Sequence, residues 1–153
     1  MRRSRERGFT LLEIMLVVVI LSILAAIAVP RLAATSDSAR EKADITTGRE
    51  VKSALDRYQI ENGSYPRLNE LRAVNGEVKG TQFIPGYIKR LDATVTQQNA
   101  SQDKKGFGIT ESVEGNNYSE PPNLIMIYLS TDGSAAEVEV YNKSLTTVLW
   151  SSI

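Results

Sequence analysis

The sequence predicts an α+β protein in which one long N-terminal helix packs on a small antiparallel β-sheet. Residues 11–29 form an apolar stretch in which Glu13 and Ser22 are the clearly polar residues. Apolar residues then recur at three- and four-residue spacing as far as Tyr58, which is typical of one face of an amphipathic helix. Near the C-terminus, two strand-like segments flank a turn at Asp132-Gly133. The helix therefore has a membrane-spanning half and an amphipathic half.

The apolar half has the length of a membrane span. As a helix, its nineteen residues reach roughly 28 Å, about the thickness of the bilayer hydrocarbon. The first eight residues hold four arginines and one glutamate, a net charge of +3, against 14 basic and 17 acidic residues in the rest. By the positive-inside rule, this predicts a cytoplasmic N-terminus and a C-terminal part outside the cytoplasm.

The composition excludes several kinds of chemistry. The chain has no Cys and no His, so disulfides, thiolate or imidazole metal sites, and Ser-His or Cys-His catalysis are impossible. Ser-Lys and paired-carboxylate mechanisms remain compatible with the composition, but no local motif indicates one. We therefore expect no enzyme, no catalytic residue, no cofactor and no metal.

The carboxylate of Glu13, near the start of the apolar segment, helps to distinguish three interpretations of that segment. A secretory signal would be cut near Ala28, and a plain signal anchor would account for length and orientation only. Neither accounts for Glu13, since an ionisable residue inside an apolar span costs about 2.5–3.5 kcal/mol. A cut between Gly8 and Phe9 would place an α-ammonium group one helical turn from Glu13. An ion pair between Glu13 of one subunit and an amine of a neighbouring subunit would also offset the cost of burying this carboxylate.

The start of the chain resembles the class III signal of type IV prepilins and type II secretion pseudopilins. The residues that carry this resemblance are Arg7-Gly8-Phe9-Thr10-Leu11-Leu12-Glu13 and the apolar run to Pro30. The resemblance implies a pilin-like fold, cleavage after Gly8, N-methylation of Phe9, and an assembly role for Glu13. Pro30 stands where the family has a helix-bending proline.

The resemblance also implies three segments. Residues 1–8 would be a leader removed on processing, residues 9–34 the transmembrane and filament-core half-helix, and residues 35–153 the amphipathic half-helix with a globular head. Ser22 stands where many members have a mid-segment glycine, and its hydroxyl is expected to bond back to the carbonyl four residues earlier.

The amphipathic half continues the helix to about residue 61. Asn62-Gly63 is a strong stop signal, and residues 58–66 resemble the helix end of many pilins and pseudopilins. A helix from Thr10 to Glu61, bent near Pro30, would be roughly 75–80 Å long. The face expected to pack on the sheet consists of Ala39, Ala43, Thr47, Val51, Ala54, Leu55 and Tyr58. The Ala-rich N-terminal part of this face would alternatively contact neighbouring subunits. Surface ion pairs are expected four residues apart, at Arg40–Asp44, Lys52–Asp56 and Arg57–Glu61.

The head is predicted from shorter signals. Residues 68–74 suggest a helical turn, residues 83–88 supply apolar packing, and residues 97–106 suggest an exposed loop. Strands are predicted at residues 107–113, 123–130, 135–141 and 146–150, with residues 131–134 as a hairpin turn. The acidic residues of the head lack the spacing of calcium ligands and are interpreted as solvated surface. They include Asp92, Asp103, Glu111, Glu114 and Glu120.

The sequence favours a structural subunit of a type IV pilus or pilus-like filament. A type II secretion pseudopilin is the alternative, placed second because the Asp-Pro-Trp-Gly-Asn-Pro-type calcium loop of major pseudopilins is missing. A minor DNA-uptake or adhesion pilin is a further alternative, with nucleic acid left open as a partner. The expected partners are further copies in a helical homopolymer, other pilins, the prepilin peptidase/methyltransferase, an inner-membrane assembly platform, and membrane lipid before assembly. The subunit would lie in the cytoplasmic membrane first, and in a cell-surface or periplasmic filament afterwards.

Overall fold

A computed structural model describes residues 9–80, 82–100, 104–111 and 123–153. The chain divides into two compact units, with the boundary between Ser38 and Ala39. The α+β arrangement predicted from the sequence is confirmed.

Helix α1 spans Leu11–Asn62 and is 52 residues long, within one residue at each end of the predicted range. Its C-terminus has the predicted stop: Gly63 takes a φ of 80° and donates its N–H to the Gln59 carbonyl at 2.8 Å. The Asn62 side-chain amide caps the Tyr58 carbonyl at 2.9 Å. A left-handed glycine just past the last helical residue is a common helix ending.

A two-stranded hairpin follows the helix, where a helical turn had been predicted. Strand β1 (Leu71–Val74) pairs antiparallel with β2 (Glu77–Gly80). Asn75 and Gly76 form the turn with φ values of 52° and 78°. Positive φ at both central residues is the geometry that Asn-Gly favours in two-residue hairpins. The helical prediction for residues 68–74 is therefore wrong over β1, although the turn signal was present.

The main sheet has four strands in the order β3-β4-β5-β6. They are β3 (Phe107–Glu111), β4 (Ile125–Leu129), β5 (Ala136–Tyr141) and β6 (Val148–Ser151). The β4–β5 hairpin is confirmed, with Gly133 at a φ of 78° in its turn, and β5 pairs antiparallel with β6. However, β3 runs parallel to β4, so the sheet is mixed rather than wholly antiparallel. Thirteen residues connect these strands, about the minimum for a parallel crossover. Residues 112 and 113 of the predicted strand lie outside the described residues.

The hydrophobic core lies between the sheet and the C-terminal part of α1. Val51, Ala54, Leu55 and Tyr58 are buried there, which confirms the lower part of the predicted face. Along β4, Ile125, Ile127 and Leu129 belong to this core, whereas Met126 and Tyr128 form a second cluster with Tyr141. Toward the N-terminal end of the same face, Ala43 and Thr47 are half-buried and Ala39 is exposed.

Gly48 marks the closest approach of helix and sheet. A Cβ atom at this position would lie 2.5 Å from Val140 Cγ2 and 3.3 Å from the Trp150 ring. Glycine therefore allows the helix backbone to rest directly on β5 and β6. The apolar segment at residues 83–88 packs as predicted, with Phe83 buried and Ile84, Tyr87 and Ile88 against the core.

Candidate assembly helix and its anchoring in the head

The first turn of α1 is closed by a reciprocal capping box. The Thr10 N–H and hydroxyl both donate to Glu13 Oε2, at 2.9 and 3.0 Å. The Glu13 N–H donates to Thr10 Oγ1 at 3.3 Å. A Thr at the N-cap with Glu three residues later is the pattern that produces this motif. This capping box was not predicted, although its Thr-x-x-Glu pattern is visible in the sequence.

Among the residues predicted to act in processing and assembly, Glu13 forms hydrogen bonds with Thr10. Phe9 precedes the capping box and is 82% exposed. Gly8 lies outside the described residues. The cleavage after Gly8, the methylation of Phe9 and the pairing of Glu13 with an amine therefore stay predictions.

The following turns expose a continuous apolar surface. From Leu11 to Val29 the side chains are exposed within their unit, and α1 is long and apolar enough to cross a membrane. Ser22 donates its hydroxyl to the Val18 carbonyl at 2.7 Å, the back-bond expected from the sequence. Pro30 lies inside the helix, and because proline has no N–H, the carbonyl four residues earlier loses its helical donor.

Asp44 anchors the helix in the head, a role that was not predicted from the sequence. This residue is fully buried, and its two carboxylate oxygens accept the N–H groups of Gln97 and Gln98 at 2.6 and 3.0 Å. The prediction that made Asp44 a solvated partner of Arg40 is therefore wrong. The available signal was periodicity, because Asp44 lies four residues before Gly48 on the buried face.

An exposed loop was predicted at residues 97–106, but its segment at residues 97–100 is partly buried. Gln98 is only 2% exposed, and its side-chain amide donates to the Tyr141 carbonyl at 2.9 Å. Gln98 therefore links the Asp44 carboxylate to the end of β5. The N–H groups of Gln97 and Gln98 bond to Asp44, and the Gln98 carbonyl accepts the Ala100 N–H at 3.2 Å, so these polar groups keep partners in place of water.

The two remaining predicted ion pairs have different outcomes. Lys52 pairs with Asp56 as predicted, and the Tyr65 hydroxyl donates to the same carboxylate at 2.9 Å. Burial lowers the pKa of Lys52, but its hydrogen bonds with Asp56 and Tyr65 raise it, and the net shift is upward.

Arg57 and Glu61 instead each bond to Tyr87. The Arg57 guanidinium donates to the Tyr87 carbonyl at 2.9 Å, and the Tyr87 hydroxyl donates to Glu61. The predicted Arg57–Glu61 pair is wrong because the loop that carries Tyr87 supplies a partner for each side chain.

Known proteins match this chain in its N-terminal part and beyond. Residues 3–29 match the family described as the prokaryotic N-terminal methylation motif. Type II secretion system core protein G of Klebsiella michiganensis is 40% identical over 97 residues, or 60% of this chain and 68% of that protein. The protein of the same name from Pseudomonas aeruginosa is 46% identical over 100 residues, again 60% and 68%. The Escherichia coli protein is 36% identical over 98 residues, or 59% and 66%. This chain belongs to the core protein G family. No solved structure matches it.

Membership in the core protein G family confirms the resemblance to pilins and pseudopilins, a structural family rather than an enzyme family. The matched methylation segment includes Gly8, Phe9 and Glu13. The relatives are named as type II secretion proteins, which agrees with the pseudopilin alternative. A pilus subunit and a secretion pseudopilin are both filament subunits, so this function is common to the two interpretations.

The described residues of the head do not fit a calcium site of the kind expected in major pseudopilins. Asp92 accepts the Thr94 N–H at 2.8 Å and lies 3.6 Å from the Arg90 guanidinium. Within the described ranges, no three carboxylates come close enough together to hold a metal ion. Asp103, Glu114 and Glu120 lie outside the described residues.

Proposed function

We propose that this chain is a pseudopilin-type subunit of a type II secretion filament. Its precursor is cleaved after Gly8, methylated at Phe9, and assembled through the apolar half of α1. The observation that carries the proposal is similarity to core protein G over most of the relatives' length, together with an unpartnered apolar surface on the described first half of α1.

Before assembly, the apolar half is suited to anchor the subunit in the cytoplasmic membrane. The basic start of the chain supports a cytoplasmic N-terminus, with the head on the other side. On the cytoplasmic side the prepilin peptidase/methyltransferase reaches the leader. An inner-membrane platform and other pilin-like subunits are the assembly partners.

Glu13 then makes assembly selective. The capping box satisfies one oxygen of its carboxylate, which lowers the cost of placing it at the membrane. A charged carboxylate still prefers a cation, and the α-ammonium group of a processed Phe9, in the same or a neighbouring subunit, is such a partner. A position in the filament that lacks this amine would leave a charge in an apolar bundle, at about 2.5–3.5 kcal/mol.

Mass spectrometry of the mature N-terminus, combined with a Glu13→Ala variant, tests this proposal. We expect a chain that begins at methylated Phe9 and a variant that is processed but absent from filaments. Glu50→Ala, which removes an exposed carboxylate from the same helix, is the matched control and should assemble normally. A mature chain that begins at Met1, or one cut near Ala28, would refute the processing step. Normal assembly of Glu13→Ala would refute the role of the carboxylate.

A type IV pilus subunit is the second candidate. The absence of the calcium loop favours it, and the methylation motif is common to both kinds of filament. Deletion of the gene separates them: loss of protein secretion supports the secretion filament, whereas loss of surface motility with intact secretion supports the pilus.

A further inference from the structure

A recess of about 200 Å³ opens on the head beside the C-terminal turns of α1. It lies between the helix, the start of β1 and the segment that follows β2. Its lining residues are Tyr58, Pro66, Glu70, Leu71, Gln82 and Phe83. None of them belongs to the apolar half of α1 or to the Asp44 anchor.

The base of the recess is apolar and held in place by packing. Leu71, Phe83 and Tyr58 are buried core residues. The Tyr58 and Phe83 rings meet edge to face with centroids 6.1 Å apart, and Phe83 stacks on Tyr87 at 6.2 Å. A ligand would therefore find a formed base rather than one that must be ordered on binding.

The polar groups around this base are mainly hydrogen-bond acceptors. Glu70 Oε2 accepts the Arg67 N–H at 3.0 Å, and no hydrogen bond joins its other oxygen to the described part of the chain. The Tyr58 hydroxyl donates to Gln82 Oε1 at 3.1 Å, so both of these oxygens keep a lone pair for a further donor.

Glu70 is exposed, and no ion pair within the described ranges joins its carboxylate to a cation. Lys52, Lys79 and Arg90 pair instead with Asp56, Glu77 and Asp92. Burial raises the pKa of Tyr58, and the Glu70 charge raises it further. Glu70 and Tyr58 line the same recess.

We propose that this recess binds the guanidinium side chain of an adjacent protein chain. Guanidinium has five N–H donors in a plane and no acceptor, which suits a site with one carboxylate and two further oxygens. Its aliphatic stem fits the apolar base, as arginine stems commonly do.

Other ligand classes fit less well. An anion would be repelled by Glu70, and a neutral apolar group would bury that carboxylate without a partner. A calcium ion needs six to eight oxygens, more than this site offers.

The binding test uses the full-length chain in detergent micelles, before any assembly. The probe is N-acetyl-arginine methylamide, and the neutral control is the citrulline analogue, which has nearly the same shape without the charge. NMR of the Leu71 methyl groups and the Tyr58 ring should show saturable shifts with the arginine probe only. Saturation by both probes alike, or no saturation by either, overturns the proposal.

Two variants assign the binding to the recess. Glu70→Gln keeps the size of the side chain and should weaken binding of the arginine probe at least about tenfold, because a charge-assisted bond is lost. Glu77→Gln makes the same change on β2, where Glu77 pairs with Lys79 at 3.2 Å, and should bind like the wild type. Equal affinity of the wild type and Glu70→Gln overturns the proposal.

Filaments assembled from this chain alone identify the source of the side chain, a step that rests on the proposed function. If a second copy supplies it, the Leu71 and Tyr58 resonances in the filament match those of the arginine-saturated subunit. If another protein supplies it, they match the free subunit. Failure to form filaments would contradict the proposed function and leave the result with the probe unchanged.

Discussion

Replacing the buried Asp44 with alanine should destabilise the head by about 2–4 kcal/mol. The substitution removes the acceptor of two main-chain N–H groups, those of Gln97 and Gln98. A buried donor without a partner costs about 1–3 kcal/mol. Gln97 is exposed, so water can replace the hydrogen bond of its N–H group. Gln98 is buried, so its unpaired N–H group accounts for most of the lost free energy.

Denaturant unfolding of the full-length chain in micelles measures this effect, with Trp150, the single tryptophan, as the fluorescent reporter. Asp44→Asn keeps one acceptor oxygen and should lose about half as much free energy. Glu50→Ala, at an exposed position of the same helix, should stay within about 0.5 kcal/mol of the wild type. Amide exchange at Gln98 should accelerate in Asp44→Ala. A loss below about 0.5 kcal/mol, with exchange at Gln98 unchanged, would refute the anchoring role.

Three further predictions concern a close approach, a cap and a turn. Gly48→Ala would place Cβ 2.5 Å from Val140 Cγ2, and denaturant unfolding should show a loss of about 1–3 kcal/mol; wild-type stability would contradict the close approach. Thr10→Ala removes a cap typically worth about 0.5–2 kcal/mol, so amide exchange in the first turn of α1 should accelerate while that of the head is unchanged; unaltered exchange in the first turn would contradict the capping box. Hydrogen bonds from the Ser134 side chain and N–H lower the pKa of Asp132 from 3.8 to about 2. The stabilisation is therefore present above pH 3.8 and lost as the pH falls through about 2. A carboxyl NMR titration with a midpoint at or above 3.8 would contradict this.

Elements with strong local signals were predicted well. The apolar run and the Asn62-Gly63 stop gave both ends of α1 within one residue, and Asp132-Gly133 located the β4–β5 hairpin. The Asn75-Gly76 hairpin carried an equally strong signal that was overlooked in favour of helix periodicity over a short segment. Four-residue strands are the hardest to recognise, because so few side chains define their alternation.

The direction of β3 had no local signal. Strand propensity and alternation are the same for a parallel and an antiparallel neighbour, so residues 107–111 could be predicted as a strand but not paired. The parallel pairing of β3 with β4 is a property of the folded chain.

The sequence by itself determined the features of the N-terminal part of this protein, from the basic residues through the apolar half of α1. The length of the apolar run, the basic residues before it and the Thr10–Glu13 pattern act over one turn or along one helix, so they can be predicted without a partner. The tertiary structure alone decided what Asp44 does and where Glu70 faces a recess. The partners of Asp44 lie 53 and 54 residues away in the chain, and only packing of the helix against the head brings such groups together.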